Sequence, residues 1–117
     1  MKNVKIKKLL FQQKKTKEII KYIHLHYQED ILLYEVAQYF GFSREYFSRF
    51  FKQEIGISFK SYLTYFRLNK SLNLLKNKEL TILEISSEVG FSSEIQFINS
   101  FKKYYHMTPG EYRKSQF

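Results

Sequence analysis

The stretch Glu35-Val36-Ala37-Gln38-Tyr39-Phe40-Gly41-Phe42-Ser43 returns further along the chain as Glu84-Ile85-Ser86-Ser87-Glu88-Val89-Gly90-Phe91-Ser92. After one inserted residue, Phe47, Phe51 and Lys52 return as Phe97, Phe101 and Lys102. Two copies of one supersecondary unit imply one task carried out twice. Each copy reads as helix, sharp turn, helix. Gly41 and Gly90 take the turn position, where glycine alone reaches positive φ without strain. Ser43 in the first copy and Ser92 or Ser93 in the second stand where a serine caps the helix that follows. This is the outline of a helix-turn-helix pair, and it points to double-stranded DNA.

Working outward from the repeats, helical periodicity covers most of the chain. Ile19, Ile20, Ile23 and Tyr27 mark one face of a first helix beginning near Lys15. Residues 1–13 carry no clear cap and read as a basic arm or linker. Further helices are expected over 33–40 and 44–54, the latter stopped by Gly56. Ser58 caps a long helix reaching about residue 76, with Phe59, Leu63, Phe66, Leu68, Leu72 and Leu75 at spacings of three and four; roughly 18 residues give a rod of roughly 27 Å. Thr81-Ile82-Leu83-Glu84, Ser93-Glu94-Ile95-Gln96 and Thr108-Pro109-Gly110-Glu111 each fit a capping box, the last with the only proline at the first helical position. A short final helix over 109–115 follows. The domain reading is therefore an arm over 1–13, a first helix-turn-helix subdomain over 14–57, a connecting helix over 58–77 and a second subdomain over 78–117.

Composition narrows the function. A chain of 117 residues that is 44% hydrophobic buries a core without disulfide or metal, and the absence of cysteine fits an intracellular protein. The formal charge of +9 is unevenly spread. Eight lysines (2, 5, 7, 8, 14, 15, 17 and 21) face only Glu18 in the first 21 residues, whereas the rest carries twelve basic and ten acidic residues. Net charge thus does not locate a binding surface; placement on the repeats does. His24 and His26 point about 200° apart on a helix and make no metal pair. With no cysteine nucleophile and no phosphate-cradling glycine loop, the chain does not read as an enzyme, and no cofactor is expected. Neither a membrane span nor a signal peptide is legible, which leaves a cytoplasmic, nucleoid-associated protein as the expectation.

Rotation at 100° per residue separates the faces of the two second helices. Phe47, Phe50, Phe51 and Glu54 share one side of the first, leaving Glu45, Ser48, Arg49 and Lys52 outward. Phe97 and Phe101 turn inward in the second, leaving Ile95, Ile98, Asn99 and Lys102. Arg49 suits a guanine gripped through two acceptors, Asn99 an adenine, and the isoleucines a thymine methyl. Glu45 either accepts from cytosine or pairs with Arg49 four residues on. For Ile95 and Ile98 a second reading stays open, in which they pack on the linking helix or dock a partner protein and DNA binding is secondary. The apolar residues of the arm, Val4, Ile6, Leu9, Leu10 and Phe11, are few for a membrane-surface anchor.

From Ile31 to Tyr112 the chain resembles the AraC/XylS family DNA-binding domain. The likeness rests on the two Gly-Phe-Ser turns, Phe47-Ser48-Arg49-Phe50-Phe51-Lys52, Gly56-Ile57-Ser58-Phe59, Arg67-Leu68, and Met107-Thr108-Pro109 leading to Tyr112-Arg113. It implies an all-α, homeodomain-like fold of about seven helices, with two helix-turn-helix subdomains joined by a long central helix. The two recognition helices, over 44–54 and 93–104, would then enter successive major grooves, about 34 Å apart, of bacterial promoter DNA. Carried over by position, base reading falls on Glu45, Ser48 and Arg49, then on Glu94, Ile95, Ile98 and Asn99. Phosphate contacts fall on Ser43, Arg44, Lys52, Ser92, Ser93, Lys102 and Lys103. Asn99 stands where many members have arginine, His106 where a glycine is common, and Ser71 and Ser86 where alanines are common. The resemblance also implies transcriptional activation, with RNA polymerase as a further partner. Many members add an effector-binding and dimerising domain that these residues do not supply; the chain reads either as a single-domain member or as the DNA-binding part of a longer regulator.

Overall fold

The computed structural model describes residues 2–117, with side chains from Val4 onward; Met1 lies outside the described residues. Seven helices and no strand occur among them: α1 (Lys2–His26), α2 (Leu33–Tyr39), α3 (Arg44–Ile55), α4 (Phe59–Leu74), α5 (Ile82–Glu88), α6 (Glu94–Tyr105) and α7 (Pro109–Gln116). The expected all-α architecture is the one observed.

The first helix departs from expectation. Instead of starting near Lys15, α1 reaches back to Lys2, through the stretch read as an arm. That stretch holds no glycine or proline and is rich in lysine, leucine and glutamine, all good helix formers whose small preferences add over several turns. Packing helps as well: the Lys15 ammonium lies 5.6 Å from the centre of the Phe11 ring, 5.8 Å from Phe40 and 5.9 Å from Phe42, while its ion pair with Glu18 spans 3.4 Å. Aromatic rings thus hold the middle of α1 against the turn after α2.

The chain forms two compact units. The first comprises residues up to His26 together with Ile31–Ser61; the second comprises Tyr27–Asp30 and Tyr62–Phe117. In the first, Ile19 and Ile23 of α1, Val36 and Ala37 of α2, and Phe47, Phe50 and Phe51 of α3 are buried together with Phe59. The Phe59 ring meets Phe47 and Phe51 edge-on at 5.6 and 5.7 Å. Ser58 accepts from the Ser61 N–H at 3.1 Å, starting α4 as a helix-capping serine does.

In the second unit, Leu68, Leu75, Ile85, Val89, Phe91, Phe97 and Phe101 form the core, with Tyr27 and Tyr112 partly buried against it. Two arginines bind carbonyls at the ends of helices. Arg67 donates through Nε to the Tyr27 carbonyl at 2.8 Å and through Nη2 to that of Glu29 at 2.7 Å. Burial lowers its pKa from the ordinary arginine value, an effect that nearby Asp30 opposes. Arg113 does the same downstream, donating to the carbonyls of Leu75 at 3.1 Å and Asn77 at 3.2 Å. A cation there satisfies acceptors that a helix end leaves without partners. The segment 27–30 joins the second unit because Arg67 holds it, together with the Gln28 amide, which donates to Glu88 at 3.0 Å.

Capping boxes at Thr81–Glu84 and Thr108–Glu111 close in both directions. Hydrogen bonds from Thr108, the backbone one foremost, hold the Glu111 carboxyl below its ordinary pKa. A lowered carboxyl pKa stabilises the fold above the ordinary carboxylate pKa, and the contribution is lost as pH falls through the lowered value.

The two turns share one hydrogen-bond pattern. Gly41 donates to Gln38 at 3.0 Å and Phe42 to Ala37 at 2.9 Å; Gly90 donates to Ser87 at 3.1 Å and Phe91 to Ser86 at 3.0 Å. Both glycines have positive φ, 74° and 97°. Their surroundings differ: a Cβ on Gly41 would meet nothing within 4 Å, whereas one on Gly90 would collide with the Tyr27 carbonyl oxygen and lie 2.8 Å from Arg67 Nε. Gly41→Ala is therefore expected to cost about 1 kcal/mol, from conformation alone. Gly90→Ala is expected to cost about 2–4 kcal/mol, because it adds a steric clash at the arginine clasp. Urea unfolding of the two variants gives the comparison; equal losses would remove the close approach as a cause.

Candidate nucleic-acid interface

Ser43 ends the first turn with extended backbone, and its hydroxyl accepts from the Tyr46 N–H at 3.1 Å. From that start α3 runs with Phe47, Phe50 and Phe51 buried, so the opposite side is left to solvent. Arg44, Glu45, Ser48, Arg49 and Lys52 are all exposed, as is the cap, Ser43. Among the described residues no ion pair joins Glu45 to Arg49, which leaves both heads available to a ligand. Tyr46 was not singled out from the sequence. The residue is 41% exposed and its ring stacks on Phe50 with centres 6.0 Å apart, beside the polar face. The signal was present in its position one turn before Phe50, but an aromatic near a phenylalanine core is easily assigned to that core.

The second unit repeats the arrangement with differences. Ser93 caps α6, accepting from the Gln96 N–H at 3.1 Å, but the expected capping box does not close. The Gln96 side-chain oxygen accepts instead from Ser92, from its hydroxyl at 2.7 Å and its N–H at 3.3 Å. A neighbouring serine offers two donors where the Ser93 backbone offers one, and the amide takes the better set. Ser92, Ser93, Asn99, Lys102 and Lys103 are exposed, and Ile95 is 71% exposed. Ile98, expected from rotation to face outward, and Glu94, carried over by the family resemblance as base-reading, are only partly exposed. Helical rotation assigns a side, but the width of the covered stripe depends on what packs at its borders.

Three of the four departures from common family residues also find places. His106 closes α6 in the left-handed conformation, at φ 63°. Ser71 donates to the Leu68 carbonyl at 2.6 Å, and Ser86 donates at 3.1 Å to the Ser93 carbonyl, tying α5 to the start of α6. Both hydroxyls are thus satisfied although the residues are buried. Among the described residues no cluster of His, Cys, Asp and Glu is arranged to hold a metal, and no helix is long and apolar enough to cross a membrane.

Residues 36–115, which include both turns and both exposed helices, match the helix-turn-helix domain family. The chain belongs to the AraC/XylS-type helix-turn-helix family. It is 35% identical over 105 residues to an uncharacterized HTH-type transcriptional regulator, YdeC, of Bacillus subtilis, covering 90% of this chain and 36% of the relative. With the Msm operon regulatory protein of Streptococcus mutans it shares 34% identity over 97 residues, covering 83% of this chain and 35% of the relative. The chain thus spans about a third of the length of these two relatives. Among solved structures, the C-terminal domain of AraT, a response regulator from Geobacillus stearothermophilus, superposes with a TM-score of 0.82 at 37% identity, covering 86% of this chain and 84% of that one. The AraC/XylS-type helix-turn-helix domain is a DNA-binding domain of transcriptional regulators.

The cap at Ser93 offers a direct check on how α6 is started. Ser93→Ala should cost about 1 kcal/mol in thermal or chemical unfolding. Ser92→Ala, which removes one exposed side-chain bond, should stay within about 0.5 kcal/mol of the parent. The reverse order would make Ser92 the functional cap.

Proposed function

We propose that this chain binds double-stranded promoter DNA sequence-specifically and reads two successive major grooves with α3 and α6. The reading rests on one observation above all: in each unit a phenylalanine-anchored helix, capped by an exposed serine, leaves polar side chains exposed on the face away from the core. In the first groove Arg49 grips guanine through O6 and N7, with Glu45 accepting from a cytosine amino group and Ser48 beside them. In the second, Asn99 bonds adenine at two atoms, Ile95 covers a thymine methyl, and Glu94 and Ile98 border that contact. Ser43, Arg44 and Lys52, with Ser92, Ser93, Lys102 and Lys103, position the helices through phosphates, where helix starts and cations favour anions.

Asparagine at position 99, where many members have arginine, either weakens the second subdomain's hold on DNA or shifts its preference towards A·T pairs. The expected biological role is transcriptional activation in the bacterial cytoplasm, at the nucleoid, with RNA polymerase as the further partner. The exposure of Ile95 supports a second reading, in which this face docks a protein and DNA binding is secondary.

Fluorescence anisotropy on sites selected from random duplexes tests the first reading. Log affinity should fall steeply with log salt, by about 0.9 per neutralised phosphate. A flat response would favour protein docking. Arg49→Ala should lose roughly 1–3 kcal/mol on the selected site and relax preference at one base position. Equal weakening on every duplex would make Arg49 a phosphate ligand. Ile95→Ser should lower discrimination for one thymine, whereas unchanged affinity on all duplexes would assign Ile95 to a protein partner.

A further inference from the structure

The amino-terminal half of α1 lies beside the recognition face of the first unit. Lys8 and Gln12 of α1, one helical turn apart, and Tyr46, Arg49, Phe50 and Gln53 of α3 line an open concavity of about 360 Å³. On α3, Arg49 and Gln53 are likewise one turn apart, so each helix contributes two neighbouring polar heads to the same space. All four carry N–H donors, two are cationic, and no carboxylate lines the concavity. Such a set favours an anion with several acceptor oxygens. Lys8 and Gln12 lie upstream of residues 36–115, the stretch that the family model matches.

Two further facts make Lys8 more than one lysine of a basic run. The helix continues unbroken through residues 4–13, so the side chain is carried on a structured element rather than a loose tail. Phe11, one turn on, lies against Lys15, whose ammonium also sits over Phe40 and Phe42, which fixes this part of α1 next to the turn. Lys7 is equally exposed but does not line the concavity.

We propose that the concavity between α1 and α3 seats one backbone phosphate of the duplex at the edge of the groove read by α3. Lys8 supplies the charge, Gln12 and Gln53 supply amide donors, and Arg49 spans from this phosphate edge to the bases. The lysine-rich start of the chain then acts as an extension of the DNA-binding surface. The assignment rests on the DNA-binding reading above and deepens it.

The test compares three variants of the full chain on the selected duplex over a salt series. Lys8→Ala should reduce the slope of log affinity against log salt by about 0.9, the loss of one phosphate contact. Lys8→Arg should retain the slope, and Lys7→Ala, which removes the same charge from the same turn, should leave it unchanged. An equal reduction by Lys7→Ala and Lys8→Ala would mean diffuse attraction and overturn the site, as would no reduction by either. If the parent protein binds with a steep salt dependence and Arg49→Ala weakens it while Lys8→Ala does not, this proposal fails and the DNA reading stands. Absence of salt-dependent binding by the parent would sink both. Side-chain amide resonances of Gln12 and Gln53 separate the two sources of phosphate. Duplex should shift them, and inorganic phosphate at matched ionic strength should not; saturable shifts with inorganic phosphate would assign the concavity to a free anion and overturn the duplex contact.

Discussion

Burial of two phenylalanine pairs sets the rest of the surface. Phe47 and Phe51 on α3 lie with ring centres 6.1 Å apart, and Phe97 and Phe101 on α6 at 5.8 Å, all four essentially excluded from solvent. Fully burying each such ring is worth about 1.5–3 kcal/mol, more than any single polar contact on the outer face. Once those rings are committed inward, a helix with 3.6 residues per turn has no freedom left in which side chains it presents. Arg49 and Lys52 are exposed because Phe47 and Phe51 are not. The serine caps and glycine turns act on the same constraint from another side, by deciding where along the chain each helix begins.

The two arginine clasps extend this logic to the ends of the supporting helices. Tyr27 and Glu29 follow α1, and Leu75 and Asn77 follow α4; in each case a guanidinium from a later helix takes up their carbonyls. A planar fork with several donors bridges two carbonyls two residues apart, which a lysine ammonium does less well. The Arg67 clasp passes directly under Gly90, whose missing Cβ is what lets the Tyr27 carbonyl and the guanidinium come so near. A glycine that looks interchangeable with Gly41 in the repeat is therefore constrained twice, by conformation and by space.

What the sequence made legible was local. The boxes at Thr81–Glu84 and Thr108–Glu111 need only residues three apart, and they form as read. The Ser93–Gln96 box, written in the same letters, opens because Ser92 competes for the amide oxygen. Competition between adjacent donors is decided by geometry that a pattern of letters does not carry. The amino-terminal helix is hidden for a different reason: it has no cap to mark its start, only an uninterrupted sum of small favourable preferences. The clasps could not be seen at all, since Arg67 and Arg113 reach partners 36–40 residues back. On the candidate surface, rotation alone identifies the exposed Glu45, Ser48, Arg49 and Asn99, but it overstates the exposure of Ile98 and passes over Tyr46; Glu94, carried over from the family resemblance, is only partly exposed.

The differences between the repeats carry the last step. The repeat supplies two similar scaffolds, alike in their glycine turns, serine caps and phenylalanine pairs. The exposed faces have diverged, with Glu45, Ser48 and Arg49 on one helix and Ile95 and Asn99 on the other. On the DNA-binding reading proposed above, a guanidinium would gain both from guanine and from the charge of the duplex, whereas an isoleucine and an amide would offer shape and hydrogen bonds, leaving long-range attraction at α6 to Lys102 and Lys103. On that reading, encounter with DNA would be driven mainly through the first unit, where the lysines of α1 also lie, and the second unit would contribute discrimination after contact. The uneven charge of the chain, concentrated on the helix that packs against α3, is the electrostatic counterpart of that division.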